Sequence, residues 1–587
     1  MTISLDSFDF SSRSDVVEEN EMILIPDGSF VSTLAGDDSI SSVYTTDTPT
    51  ISFPTSSEDN RETVWGIYNQ GSFNTSSEND VVLGNIEHTG EFLFFTGGIL
   101  NGLGDGFNFI PAIMFTGSGD DRVLGFGASS NSKNIIGIWN SASSQINTGE
   151  GHDEVIGEAT GNTPNLIAGI FQRTSIDATL DATNLITTGN GDDKVIGKVI
   201  NGRSDSDLVG IVQDKGNNQT ITGNGNDQVI GEANGSATRS IIGIDQEDGN
   251  NQIITGNGID EIIGEASGNA STSLIGIIQA GGNSEIITDD DNDKVIGKAN
   301  GNLTFVSFQE DEPQLIPVVV GISQLGNHEI STGNGSDEVI GEASGTTTSD
   351  NLSIQVPIVG IAKLNSTMET GSGADKVIGK ADGTAVQIAG IVQQGAEDLI
   401  ITEDGNDEVV GIATGTTNDP NFGIMAGIAQ QPDTAGSQII TEDGDDKVIG
   451  TADNDGEGLT AGILGDLDIN TGEGHDEVIA SAQLSGTRVD GFAADPITQG
   501  TVTVNTGSGN DLVKGFGQGY FDGGEGDRDI YDLTEYQQSE FAIEIGAGGN
   551  NEANFTHSDI FGESTASTQG FEVFLFADGE LSFADLA

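Results

Sequence analysis

Between residues 116 and 515 the chain returns twelve times to variants of one pattern, T-G-x-G-x-D-x-(Val/Ile)-(Ile/Leu)-G. Anchored on its last Asp, the pattern falls at Asp121, Asp153, Asp193, Asp227, Asp260, Asp293, Asp337, Asp375, Asp407, Asp446, Asp476 and Asp511. The spacings run from 30 to 44 residues with a mean near 35. A period of this size marks a stacked repeat, in which each unit buries its apolar face only against its neighbours.

Each unit holds three short apolar stretches. One follows the Asp, as in DKVIGKV from Asp193. The second is a Gly-Ile stretch, as in DLVGIVQ from Asp207 and SLIGIIQ from Ser273. The third leads back into the motif, as in QIITG from Gln252. All are short, rich in β-branched residues and separated by Gly and Asn, so they read as strands. No helical periodicity of useful length competes with them. The expected fold is all-β: a parallel β-helix or β-roll-like solenoid with turns of about 35 residues and roughly three short strands per turn. Length varies mainly at 302–317 and 346–357, between the first and second stretches, and at 174–184, between the second and third. These read as loops projecting from constant strands.

The residue after the anchoring Asp alternates in charge from unit to unit: Arg122, Glu154, Lys194, then neutral Gln228, Glu261, Lys294, Glu338, Lys376, Glu408, Lys447 and Glu477. Four residues later Glu158, Lys198, Glu232, Glu265, Lys298, Glu342 and Lys380 often repeat the sign. Alternation across such distances is explained if successive turns lie about 4.8 Å apart in register, with opposite charges facing each other. Twelve such turns predict a rod of about 55 Å. Strict alternation within the strand points Val195 inward and Ile196 outward, with Ile156, Ile230, Ile263, Ile296, Ile340 and Ile378 in the same outward row. The alternative is a bulge at the following Gly that buries both residues. If the row is exposed, Phe305, Phe308 and Val356 from the insertions are candidates to cover it.

Composition narrows the partners. Lys and Arg total 19 against 93 Asp and Glu, a net charge of −74. Nucleic acid and anionic membranes are poor partners for such a surface. Divalent cations are good ones, since carboxylates and backbone carbonyls are hard oxygen donors. There is no Cys, which removes disulfides and thiolate metal sites. No stretch approaches the roughly 18 apolar residues of a membrane span. The segment MTISLDSFDFSSRSDVV has neither the basic nor the apolar region of a cleavable secretory signal.

Within the motif, paired glycines let the backbone take left-handed angles and the Asp adds a carboxylate. Stacked turns of this kind offer six or so oxygens to a calcium ion. The alternative is a tight turn capped by its Asp, with no ion. Nine copies carry the full T-G-x-G-x-D, with Gly119, Gly151, Gly191, Gly225, Gly258, Gly335, Gly373, Gly474 and Gly509 before the Asp. Over residues 116–530 the chain resembles the RTX, or hemolysin-type, calcium-binding repeat family, whose signature is G-G-x-G-x-D-x-U-x. The resemblance implies several Ca²⁺ ions between adjacent turns, held by carbonyls around those nine glycines and by the twelve anchoring Asp side chains. The departures are a single motif per long turn, Thr in place of the first Gly, and acids at Asp289, Glu403 and Glu442 in place of the second. In Gly523-Gly524-Glu525-Gly526 the position of the Asp is taken by Arg528, whose guanidinium is expected to stand in for an ion.

Residues 1–115 read as degenerate repeats, with TLAGDDSI from Thr33 and TSSENDVVLG from Thr75 echoing the motif; 116–530 as the repeat region; and 531–587 as a cap. The runs from Asp522 and Phe571 resemble the C-terminal tails of RTX proteins exported by type I secretion, which implies an extracellular or cell-surface location without N-terminal cleavage. His152 and His475 precede the anchoring Asp and read as exposed turn residues. His88, His328 and His557 are isolated, and Tyr520, Tyr531 and Tyr536 fall near the cap, so no catalytic constellation emerges. The expected function is a secreted, calcium-binding structural protein that self-associates into fibres or layers, with a glycan or cell-surface ligand as a further partner. The alternative is a secreted β-helix enzyme acting on polysaccharide.

Overall fold

Short β-branched strands separated by Gly turns cannot bury an apolar face alone, and in the computed structural model they stack. The structure describes every residue except 1, 49–50, 54–60, 76–77, 105–108, 174–182, 306–317, 350–355, 396, 431–435, 497–498, 547–549, 560–561 and 587. Much of the insertions at 174–184, 302–317 and 346–357, including Phe308, therefore lies outside the described residues. The chain divides into two compact units, residues 1–302 and 303–587. Each is a parallel β-helix whose turns contribute a strand to each of three sheets, so the all-β solenoid expected from the repeat is the observed fold.

The first sheet holds the stretch after the Asp. In the first unit its strands include Arg122–Ser129, Glu154–Thr163, Lys194–Ser204, Gln228–Ala237 and Glu261–Ala270. The second sheet holds the Gly-Ile stretches, among them Ser132–Ser141, Leu166–Arg173, Ser240–Gly249 and Ser273–Gly282. The third holds the short lead-ins Gln145–Asn147, Thr183–Thr187, Gln252–Ile254 and Glu285–Ile287. Asp207–Ile221 runs through the corner and serves both the second and third sheets. The second unit repeats the plan, with first-sheet strands such as Lys376–Ala385, Glu408–Thr417 and Lys447–Asn454.

Register is one motif per turn. Val155 pairs with Val195, and Val195 with Val229. The alternating charges consequently meet across turns. Arg122 reaches Glu154 at 2.7 Å, Lys298 reaches Glu265 at 3.1 Å, Lys376 reaches Glu408 at 3.1 Å and Lys447 reaches Glu477 at 3.3 Å. Lys198 pairs with Glu232. These side chains are a third to a half exposed, so each pair contributes roughly 0.2–1 kcal/mol. Their greater effect is to disfavour a stack slipped by one residue, which would part these charges and set each opposite an aliphatic residue.

The degenerate repeats also contribute to this helix: Val16–Glu19, Ser39–Thr46 and Val81–His88 continue the first sheet up to Arg122–Ser129. At the other end Ile530–Leu533 and Val573–Phe576 extend the first sheet of the second unit. Antiparallel pairing of Ala553–Asp559 with Gly562–Gln569 then departs from the repeat. Phe541, Phe555, Phe574 and Tyr531 pack together there as an aromatic cap.

Alternation on the first sheet holds across the paired aliphatic residues of most copies, with Leu124 of the first copy buried beside Val123 and a register shift after Val199. Val155, Val195, Val229, Ile262, Val339 and Val377 are buried, whereas Ile156, Ile196, Ile230, Ile263, Ile296, Ile340 and Ile378 are half-buried on the outside. The bulge alternative is thereby set aside, and the outward aliphatic row lies between charged rows. Phe305 and Val356 are buried.

The second sheet behaves differently at its central Gly. Ile244 faces inward and Asp245 outward, yet Ile241 is also inward and Ile242 outward, because the chain changes phase at Gly243. The cause is a waist where the two sheets touch backbone to backbone. A Cβ on Gly231 would lie 2.3 Å from the Gly243 oxygen, and one on Gly243 would lie 2.3 Å from the Glu265 nitrogen. The interior is therefore two small aliphatic lobes on either side of a Gly–Gly contact. We expect Gly231→Ala to destabilise the protein by at least about 1–3 kcal/mol, since the obstruction is backbone and cannot repack. Ile230→Ala, on the half-buried outer row, is expected to cost less than this. Urea unfolding followed by circular dichroism compares the two; an equal or smaller loss for Gly231→Ala would refute the waist.

Candidate functional site

Where a first-sheet strand begins, the chain turns a corner and the peptide N–H of the anchoring Asp has no sheet partner. The structure supplies one from the next turn's carboxylate. Asp121 N–H donates to Asp153 Oδ1 at 2.7 Å, Asp153 to Asp193 at 2.7 Å, Asp193 to Asp227 at 2.8 Å and Asp227 to Asp260 at 2.8 Å. The second unit repeats this from Asp337 through Asp375, Asp407, Asp446 and Asp476 to Asp511. Asp38 and Asp80 extend the column into the degenerate repeats. All twelve anchoring side chains are buried.

A second column runs outside the first with the opposite polarity. The residue before the Asp receives the N–H of its counterpart one turn later: His152 N–H donates to Asp120 Oδ1 at 3.0 Å, Asp192 N–H to His152 Nδ1 at 2.7 Å, and Asn226 N–H to Asp192 Oδ1 at 2.9 Å. His475 does the same between Asp445 and Asn510. Both histidines are exposed turn residues, as the pattern indicates, and their rings cap backbone. Thr in place of the first Gly is explained likewise: Thr116 Oγ1 donates to the Thr148 carbonyl and Thr222 Oγ1 to the Thr255 carbonyl.

The nine glycines before the Asp lie on the same corner. Gly191 has φ +147° and sits so close to the turn before it that a Cβ would come 1.5 Å from the Gly151 oxygen. The substituted acids Asp289, Glu403 and Glu442 keep the turn by adopting left-handed φ of +60°, +56° and +59°. Asp289 and Glu442 are exposed. Asp291, at the other Gly position of its copy, has φ +97°. Arg528 requires a correction. The turn there is one residue longer, so Asp529 takes the ladder position and accepts from Asp511 N–H at 2.9 Å, while Arg528 points outward to Glu580 at 3.4 Å. No guanidinium enters the column.

Electrostatically the inner column is costly. At Asp121, Asp153, Asp193, Asp227, Asp260, Asp407, Asp446, Asp476 and Asp511 the second oxygen, Oδ2, is buried and takes no hydrogen bond of good geometry. At Asp375 it accepts from Thr370 Oγ1 at 3.0 Å. Burial pushes these carboxyls up, to about 7 at Asp153, Asp375 and Asp446 and to about 6 at Asp193, Asp227, Asp260, Asp407, Asp476 and Asp511. The backbone N–H and the motif Thr pull each part of the way back, and neighbouring Asp charges push many of them further up. Such a column demands positive charge, as protons or as cations. Hard, orphaned carboxylate oxygens fit calcium in donor chemistry. Among the described residues no group of three or more His, Asp or Glu side chains converges. An ion held by Oδ2 would therefore draw most of its ligands from backbone carbonyls, Thr hydroxyls and water.

At the corner between the second and third sheets, amides form a further column. Gln213 Nε2 donates to Gln172 Oε1 at 3.1 Å, Gln246 to Gln213 at 2.8 Å and Gln279 to Gln246 at 2.9 Å. Asn69, Asn101 and Asn140 begin this column. In the second unit Lys363 is buried between Gln324 and Gln393, donates to the Leu399 carbonyl and is pushed down to about 7 by burial, with Asp398 opposing.

Sequence reasoning missed one grouping. Asp245 occupies an outward position of the second sheet where neighbouring turns carry Val212 and Ile278. It is buried, and burial together with the charges of Glu247, Asp214 and Asp207 pushes it well up. Arg173 meets Asp214 at 3.3 Å and Arg239 meets Asp207 at 3.6 Å beside it. The available signal was an Asp where the repeat calls for an aliphatic residue.

Compared with known proteins, the chain matches no protein-family model, no curated protein and no solved structure.

The column sets the sign of the pH dependence. Each Asp binds its proton more tightly folded than unfolded, so its contribution to stability is full below about pH 4 and is lost as pH rises through 6–7. Metal-free protein is thus expected to melt at a higher temperature at pH 5 than at pH 8. Two substitutions separate the oxygens. Asp227→Ala strands the Asp193 N–H and is expected to cost about 1–3 kcal/mol. Asp227→Asn keeps an acceptor and removes the charge, so at pH 8 without metal it should cost less than Asp227→Ala. Calorimetric melting decides this, and a metal-free protein more stable at pH 8 would contradict the buried column.

Proposed function

We propose that the chain is a calcium-binding structural protein of the cell surface or extracellular matrix, a surface-layer, adhesive or filament subunit that folds and assembles through Ca²⁺. The observation that carries this reading is the column of buried carboxylates, one per turn, nine of which have a second oxygen that takes no hydrogen bond of good geometry. At extracellular pH protons satisfy such a column poorly, since the carboxyls lie near 6–7, and a divalent cation neutralises two charges at once. The resemblance of the motif to RTX repeats supports the choice of calcium, and the net charge of −74 supports dependence on cations generally. Export by a type I route, supported by the resemblance of the runs from Asp522 and Phe571, is part of the same reading.

Assembly is supported by the half-buried aliphatic row of Ile156, Ile196, Ile230 and Ile263, flanked by charged rows of both signs. A second copy can meet such a surface with aliphatic contact in the middle and ion pairs at the sides. In this reading the Asp side chains and nearby carbonyls hold the ions, and the ions relieve the repulsion that opposes stacking.

Melting and imaging at pH 8 test the proposal. Millimolar Ca²⁺ is expected to raise the melting temperature by at least about 10 °C over EDTA, more than Mg²⁺ at equal concentration, and to yield fibres or sheets in negative stain. Identical melting in EDTA and Ca²⁺ would remove calcium from the function. Stabilised but strictly monomeric protein would remove assembly.

A further inference from the structure

Along the first turns of the first unit, the outer face of the second sheet carries aromatic rings in place of the aliphatic residues found later. Trp65 lies over Gly97, where a Cβ would come 2.1 Å from its ring. Trp139 then packs against Trp65 at 6.0 Å and Phe95 at 4.9 Å, tilted to both, and edge-on to Phe171 at 5.6 Å between ring centres. A cavity of about 230 Å³ opens at this cluster, lined by Phe94, Trp139, Phe171, Lys133, Asn165 and Arg173 among others.

Its polar groups are poorly explained by the fold alone. Trp139 is buried, and its indole N–H has no acceptor. Lys133 stands over the Phe94 ring, 4.5 Å from its centre, and forms no ion pair with a carboxylate among the described residues, in a chain where acids outnumber bases 93 to 19. Around the rim, Asn165 donates to Asn134 at 2.6 Å, and Arg173 is held by Asp214. Half-buried Phe94 beside the buried rings, the Asn165 amide oxygen and an ammonium with no carboxylate partner among the described residues suit a ring with an apolar face, several hydroxyls and one negative group. An aromatic acid would use the rings and the ammonium and leave the amide rim idle.

We infer that this cavity is a binding subsite for a carboxylate-bearing sugar residue, a uronate of an acidic glycan, with the ring on the aromatic cluster and the carboxylate at Lys133. The site is independent of the calcium column, which lies at another corner of the turn. Repulsion by the rest of the protein is limited, because at physiological ionic strength it is screened beyond about 8 Å.

Trp65 and Trp139 are the two tryptophans of the chain, and both belong to the cluster, so intrinsic fluorescence reports on the site directly. Full-length protein at fixed Ca²⁺ is titrated with a di-galacturonide, with the neutral disaccharide of the same linkage, and with benzoate. The expected result is a saturable change with the uronide, at least tenfold tighter than with the neutral sugar or benzoate. Lys133→Ala should reduce that preference to less than threefold and Lys133→Arg should retain it, with unchanged circular dichroism. No saturable change with any probe, equal affinity for acidic and neutral sugars, tighter binding of benzoate, or a preference that survives Lys133→Ala would each overturn the assignment.

Discussion

The hydrogen bond from one Asp backbone N–H to the carboxylate of the Asp one turn later is the contact on which the stack depends. Sheet hydrogen bonds hold the strands, but at the corner a parallel β-helix must bend and its peptide groups lose their sheet partners. An unmet buried N–H costs about 1–3 kcal/mol, and this cost would recur at every turn. The inner Asp column meets one N–H per turn and the outer column, through residues such as His152 and Asp192, meets the next. Because the two run in opposite directions, each turn is tied to both neighbours. The same device fixes register, since a turn displaced by one residue loses both bonds.

That device carries an electrostatic consequence. An Asn could serve as acceptor without charge, and the chain uses amides in this way at its other corner, where Gln172, Gln213, Gln246 and Gln279 form a neutral column. At the motif corner it uses Asp throughout. The choice places a negative oxygen inside every turn and makes the structure responsive to whatever supplies positive charge. The charged version stands at all twelve positions, and it is this choice that supports the proposed link to ions.

Much of this was legible in the sequence, and the failures are instructive. The alternation at Arg122, Glu154 and Lys194 encodes the register, because charge pairing across turns needs no knowledge of the turn's path. Val195 and Ile196 encode the two faces of the first sheet. The second sheet was less legible: Gly243 shifts the alternation by one, and only the opposing Gly231 shows why. Arg528 was misassigned because a single inserted residue moves Asp529 into the column, and spacing alone cannot tell an insertion from a substitution. The inward role of each Asp Oδ1 was one of two open readings, since a capping Asp and a ligating Asp have the same sequence.

The repeat also defines where function beyond stacking is to be sought. Positions that obey it are accounted for by packing, capping and register. Positions that break it without weakening the fold require another cause. The outer face of the second sheet in the first unit concentrates such breaks: Trp139 and Phe171 share a register position with Val212 and Ile278, and Asp245 stands between these last two. Neither rings nor a buried carboxyl are needed to hold a turn that aliphatic residues hold elsewhere. A regular solenoid is a neutral background in this sense, and the departures clustered on this one face are what the proposed uronate subsite rests on.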